Sequence, residues 1–384
     1  MKKSVNSYIF NLLVAACAGW AVISQAYGQK PEPTAAALPF NACWTSPGLG
    51  FQAFSAAAGE GSIFVADTSG RVRSLDLKTG RSNWSSEIGG LISSDISVSG
   101  SELFITSNVA SNQDVTSQRS TLRAISTETG ITRWSAEIPF SPRLYLLDTV
   151  SAVIAVGSTG DIHAVSKSGG EIVWVAKVDG EIGTRPAIDS KRLLVSTSTK
   201  QIILLTPQDG RIVGRFSISR PVTAQALGED GMIVLGDDRG NLSLKKPNGD
   251  TSWRFRNGAR IAEIINTEKG ILASSFDNFV YLLHERNGNV IWKKRFSGRV
   301  WGAPLVFAEQ ILVTTNADGR AELISLDTGK LIREFVLNDG EYVGLPPIAG
   351  NAAAAVFVSP EGTRLFGLPD CPEMKKDGPN GRPD

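Results

Sequence analysis

Short runs in which apolar and polar side chains alternate fill most of this chain, and glycine, asparagine or aspartate ends nearly every one. RVRSLDL (71–77), DIHAVS (161–166) and RAELISL (320–326) keep a period of two, the mark of a strand with two unlike faces. SIFVAD (62–67), RLLVST (192–197) and ILVTTN (311–316) are apolar throughout their centres, which predicts strands covered on both sides. The turns between them suit antiparallel hairpins, and beyond residue 30 no segment has a helical period. An all-β chain is expected.

The runs recur in a fixed order. SLDLKTGRSNW (74–84), AISTETGITRW (124–134), AVSKSGGEIVW (164–174) and LLHERNGNVIW (282–292) share a turn, a glycine and a tryptophan four places on, and a shorter NGDTSW ends at Trp253. The glycines stand at Gly80, Gly130, Gly170, Gly210, Gly249, Gly288 and Gly329, at intervals of 50, 40, 40, 39, 39 and 41 residues. A period near 40 marks a repeat architecture. Each unit opens with a short apolar segment, such as TRPAI (184–188), GAPLV (302–306) or LPPIA (345–349). The buried strand, the alternating strand and the tryptophan strand follow. Four strands in such a unit predict a β-propeller with four-stranded antiparallel blades.

Counting units gives eight blades, with seven as the alternative. Seven glycine turns supply seven outer strands. The run 343–368 adds three more strands without a tryptophan strand, and FNACWTSP (40–47) offers Trp44 as the missing piece. The last blade is therefore expected to be closed by an N-terminal strand. Trp44, Trp84, Trp134, Trp174, Trp253 and Trp292 are expected to dock neighbouring blades, with the glycine making the turn that aims each ring. A buried indole removes about 200 Å² from water, worth roughly 5 kcal/mol gross. Gly214 and Arg333 take the tryptophan slot in units four and seven, with Phe216 and Phe335 two places on, so those seams are expected to be weaker. Unit two carries an insertion, NVASNQDVTSQR (108–119), expected as a surface loop.

The order small–x–Asp–x–x–Thr–Gly–x–x–x–Trp, as in Asp76, Thr79, Gly80 and Trp84, resembles the tryptophan-docking repeat of the PQQ-type propellers. That resemblance admits quinone-dependent dehydrogenases, which place adjacent cysteines over the cofactor and hold calcium with Glu, Asn and Asp. No Cys-Cys pair occurs here, and no acidic residue marks a calcium site. A non-enzyme with no cofactor and no metal is expected, and a PQQ-dependent oxidoreductase is kept as the alternative. A propeller that binds envelope glycans or another ligand is the second alternative.

Composition narrows the partners. With 39 basic and 38 acidic side chains in 384 residues, phosphate neutralisation along a nucleic acid is excluded as the main activity. Three cysteines and two histidines make no zinc cluster, and His163 and His284 occupy unlike positions of their repeats. Arg254, Arg256 and Arg260 near the fifth outer strand, and Lys293, Lys294, Arg295 and Arg299 near the sixth, form a candidate interaction surface for an acidic partner. A solvated outer edge is the alternative reading of the same charges.

The first 28 residues read as a secretory signal peptide: Lys2 and Lys3, an apolar run from Tyr8 to Ser24, then small residues. Val14-Ala15-Ala16-Cys17 also resembles a lipobox, which would lipidate Cys17 and tether the chain to a membrane, and both cleavages stay open. The domain plan is a signal peptide (1–28), a linker (29–39), the propeller (40–370) and a disordered tail (371–384). In an exported chain Cys43 and Cys371 are expected to pair as a structural disulfide where the two ends meet.

Size, tryptophan repeats and export together resemble the BamB family of the outer-membrane β-barrel assembly machinery. What that resemblance implies is a periplasmic, non-catalytic protein-interaction scaffold, monomeric and possessing an envelope protein partner, an outer-membrane assembly factor. It is tethered to the outer membrane if Cys17 carries lipid. The resemblance also implies contact through loops near 178–184.

Overall fold

The computed structural model describes residues 44–47, 53–59, 61–108, 119–300, 302–307, 309–316, 320–336, 348–351, 354–359 and 362–367. The leader and linker, Cys17, Cys43, Cys371, the C-terminal tail and residues 109–118 of the insertion lie outside them.

The described strands pair antiparallel in every sheet, and the one helical segment among the described residues is a 3-10 turn at Glu229–Gly231. The first blade shows the plan: Ala53–Gly59 lies innermost, followed outward by Ser62–Asp67, Arg71–Asp76 and Ser82–Glu87. Blades three to seven repeat that order within 144–177, 187–217, 222–256, 261–295 and 305–336. Innermost strands of successive sheets touch: Ser97–Ser99 meets both Ala53–Gly59 and Leu144–Asp148, and Val222–Leu227 meets Ile261–Thr267.

The expected count of eight blades is corrected to seven, while the N-terminal closing strand expected from the sequence is present. Seven blades are contiguous stretches of chain, and the remaining sheet is not a repeat unit at all. It is a composite, in which Trp44–Pro47 pairs with Gly362–Gly367, which pairs with Ala354–Ser359 and then Ile348–Asn351. This sheet touches the innermost strands of both blade seven, Leu305–Phe307, and blade one. The second blade departs from four strands as well. Its inner place is shared by Leu91–Ile92 and Ser97–Ser99, both paired with Glu102–Asn108, so the blade has five. The cause is local: residues 93–96 leave the ladder between the two short pieces, and Ser93 and Ser94 are buried there on Thr106.

Burial follows position in the blade. The second strand is covered on both faces, as in Ala152–Gly157, where every residue is buried. The third alternates, and the fourth presents most of one face to solvent, as in Asp161–Ser166 and Ile172–Lys177. A sheet wedged between two neighbours leaves its middle strands no wet side. The core is accordingly split into separate seams. One joins Ile154, Val156 and Ile162 of blade three to Leu193, Val195 and Ile203 of blade four, and another joins blades five and six.

Candidate functional site

At the seams the tryptophans do not serve the glycine turns of their own blades. Each indole N–H donates to a backbone carbonyl of the next blade: Trp44 to Leu77 (2.9 Å), Trp84 to Thr127 (2.9 Å) and Trp134 to Lys167 (2.7 Å). Trp174 donates to Pro207 (3.0 Å), Trp253 to Glu285 (2.6 Å) and Trp292 to Leu326 (2.7 Å). Each acceptor lies three residues before a repeat glycine, and the ring lies on that glycine. A Cβ at Gly130 would stand 2.5 Å from Cε3 of Trp84, and one at Gly80 would stand 2.3 Å from Cε3 of Trp44. The repeat glycine is thus the seat for the preceding blade's indole, a role the sequence reading missed. The signal was present in the spacing: from Trp134 to Gly170 and from Trp174 to Gly210 the interval is 36 residues in both cases.

A bulge aims the ring. Between the third and fourth strands of blade one the register slips, so Ser74 faces Trp84 while Leu75 faces Ser82, and the same slip recurs in blades two to seven. The extra residue turns the tryptophan toward the next blade and leaves its predecessors outside. This is why Ile172, Val173, Ile212 and Val213 are exposed on the outer edges of blades three and four. Blade four lacks the indole. Phe216 takes its place against Gly249, 2.8 Å from where a Cβ would stand, without an N–H to donate. The side chain of Phe335 lies outside the description.

Near the axis, charges from non-adjacent blades converge. Arg185, entering blade four, reaches Asp95 of blade two at 2.8 Å. Burial pushes the Glu263 carboxyl up on the innermost strand of blade six, while Arg185 and Arg260 pull it back. Burial also raises the Tyr145 phenol, beneath the Arg143 guanidinium at 5.1 Å from its ring centroid. Arg185 and Asp95, 90 positions apart, give no local signal. In the stretch 178–184, Val178 and Ile182 are buried, and Thr184 donates to the carbonyl of Val222 at 2.8 Å.

The seven basic residues picked out above do not form one patch. Lys294 turns into the seam between blades six and seven, paired with Glu322 at 3.0 Å and lying over Phe296. Lys293 lies over Phe279, and Arg254 lines a cavity of about 350 Å³ between blades four and five together with Lys245, Ser217 and Asp237. Burial and then Arg254 push the Lys245 ammonium down. Arg256 and Arg295 are exposed on the outer strands. Arg260 and Arg299 do meet, both at Phe276, with their guanidinium carbons 5.5 Å and 5.2 Å from its centroid.

A larger cavity, about 680 Å³, opens between blades three and four and is lined by Asp148, Lys167, Trp174, Asp189 and Gln208. Lys167 is spent on Asp148 (2.7 Å) and Ser99 (2.8 Å). His163 is half-buried on Asp161–Ser166, and burial lowers its imidazole pKa. His284 opens the turn of blade six, its carbonyl accepting from Gly288 N–H at 2.9 Å. Among the described residues no group of three or more His, Cys, Asp and Glu could hold a metal ion.

Comparison with known proteins fits this picture. A family model described as outer membrane protein assembly factor BamB matches residues 41–159, 158–274 and 245–368. The chain belongs to the BamB family. It is 20% identical to the BamB of Yersinia pestis over 321 residues, covering 76% of this chain and 78% of that protein. The crystal structure of BamB from Moraxella catarrhalis superposes with a TM-score of 0.63 at 17% identity, over 85% of this chain and 99% of that one. The computationally designed Ika8 protein gives 0.72 at 11% identity, again over 85% and 99%. At such identities the BamB and Ika8 structures speak for the fold alone.

Proposed function

We propose that this chain is a non-catalytic, BamB-type scaffold that serves outer-membrane protein assembly from the periplasmic side of the outer membrane. The observation that carries this reading is the succession of BamB family matches from residue 41 to residue 368. A ring of blades fastened by indoles is rigid, and its loops present partner-binding groups without reorganisation. Export by residues 1–28 would deliver it to the periplasm, and lipid on Cys17 would hold it to the membrane through the linker 29–39. Cys43 and Cys371, near the two ends of the folded part, are proposed to form a disulfide there. The protein acts as a monomer with an assembly-machinery protein as its partner, and it uses no cofactor.

Crosslinking of the tagged full-length chain in cells, followed by recovery from the envelope fraction, should capture a β-barrel assembly protein. Capture of none sinks the reading. Titration of the purified chain with PQQ and calcium should leave the quinone spectrum and dye reduction unchanged, whereas saturable quinone binding with dye reduction would replace the scaffold with an oxidoreductase.

A further inference from the structure

The Arg260–Phe276–Arg299 stack has the attributes of a recognition site. Phe276 follows the second strand of blade six and is 38% exposed. The residues around it are fixed by the backbone. Phe276 N–H donates to the Arg260 carbonyl at 3.0 Å, and the Ser275 hydroxyl reaches the same carbonyl at 3.1 Å. In addition, Asn316 N–H donates to the Arg299 carbonyl at 3.0 Å, and Phe296 N–H to that of Asn278 at 2.8 Å. The loop from blade five to six, the one from blade six to seven, and the turn carrying Phe276 are thus held as one platform. Each guanidinium lies over the ring, and the cation–π attraction holds both groups beside it.

Neither guanidinium has an ion-pair partner among the described residues. The nearby Asp277 carboxylate is engaged elsewhere. It accepts from the Tyr281 hydroxyl at 2.7 Å and from Phe279 N–H at 3.1 Å. Two guanidinium groups gathered at one apolar ring match two carboxylates beside an apolar side chain. A planar fork takes a carboxylate through two parallel hydrogen bonds, a stronger contact than a neutral pair gives. The surroundings argue against a uniformly anionic surface such as a lipid leaflet. Asp277, next to Phe276, adds a negative charge beside the arginines, so a continuous negative sheet would meet repulsion there.

We propose that Arg260, Phe276 and Arg299 form a clamp for an extended acidic segment of a partner protein, with one carboxylate on each arginine and an apolar side chain against the ring. This deepens the scaffold reading by giving the chemistry of one partner contact, and it is tested on purified protein, so its failure leaves capture from the envelope to be judged separately.

The probe is a fluorescein-labelled synthetic peptide in which glutamates alternate with leucines, beside a twin with glutamine for every glutamate. The acidic peptide should bind saturably to the full chain, weaken with salt, and outbind the twin by at least about tenfold. Arg260→Gln and Arg299→Gln should each weaken it about tenfold, a loss near 1.4 kcal/mol. Phe276→Ala should weaken it comparably, Phe276→Tyr should retain it, and Lys293→Gln, off the platform, should leave it unchanged. All five variants are at exposed positions, and unchanged near-ultraviolet circular dichroism verifies their fold. Equal binding of the twin, or equal affinity in the arginine variants, overturns the proposal. So does capture of phosphatidylglycerol vesicles that is lost in the same variants, because the site would then be one for lipid.

Discussion

Gly130 shows how much one missing methyl group does here. Its φ of 71° lies in the left-handed region, and a Cβ would press on Cε3 of Trp84 at 2.5 Å and on the Ser86 hydroxyl at 2.7 Å. Gly89 has nearly the same φ, 70°, with nothing within 4 Å of a Cβ. The pair separates backbone strain from packing. Gly89→Ala should cost about 1–2 kcal/mol, the left-handed penalty alone. Gly130→Ala should cost roughly 2–4 kcal/mol, because overpacking adds to it. Urea unfolding of both variants measures the difference, and equal losses would mean that the indole seat is soft. In the sequence the repeat sets Gly130 apart from Gly89, but not for the ring it seats.

At the scale of the blade, the fastening element is a strand whose bulge turns one indole toward a neighbour's turn. The acceptor is always a backbone carbonyl, so the residue that supplies it is free to vary, from Leu77 to Pro207 to Glu285. Trp174→Phe keeps a ring on Gly210 but leaves the Pro207 carbonyl without its donor, which should cost about 1 kcal/mol. Trp174→Ala should cost roughly 3–5 kcal/mol, as the cavity term joins in. Chemical denaturation of the two variants checks both values. The seam between blades four and five already has the phenylalanine form, with Phe216 on Gly249. The weaker seam expected from Gly214 thus lacks a hydrogen bond while keeping an aromatic ring.

For the whole molecule the decisive element is the short N-terminal strand. Trp44 is 4% exposed, lies on Gly80 of blade one and donates to Leu77, while its own strand pairs with Gly362–Gly367 near the other end of the chain. One residue therefore joins the composite sheet to the first blade. Trp44→Ala should release the strand Trp44–Pro47 to limited proteolysis at concentrations that spare the wild type, with the contiguous blades still protected. Mass spectrometry of the fragments reads the outcome, and an unchanged cleavage pattern would show that strand pairing alone holds the ends.

Periodicity by itself determined the all-β class, the repeat near 40 residues and the places of the indoles, because alternation and turn chemistry are local properties that each unit restates. The BamB resemblance was legible from the same repeats. Tertiary structure alone decided what each glycine faces, that the blades number seven, that blade two has five strands, and that Arg185 spans to Asp95. It also split the seven basic residues, sending Lys294 into a seam with Glu322 and setting Arg260 and Arg299 on Phe276. The reason for most of these is distance along the chain: Arg260 and Phe276 are 16 positions apart, Arg185 and Asp95 are 90, and Trp44 and Leu365 more than 300, and only closure of the sheets around one another brings such residues within reach.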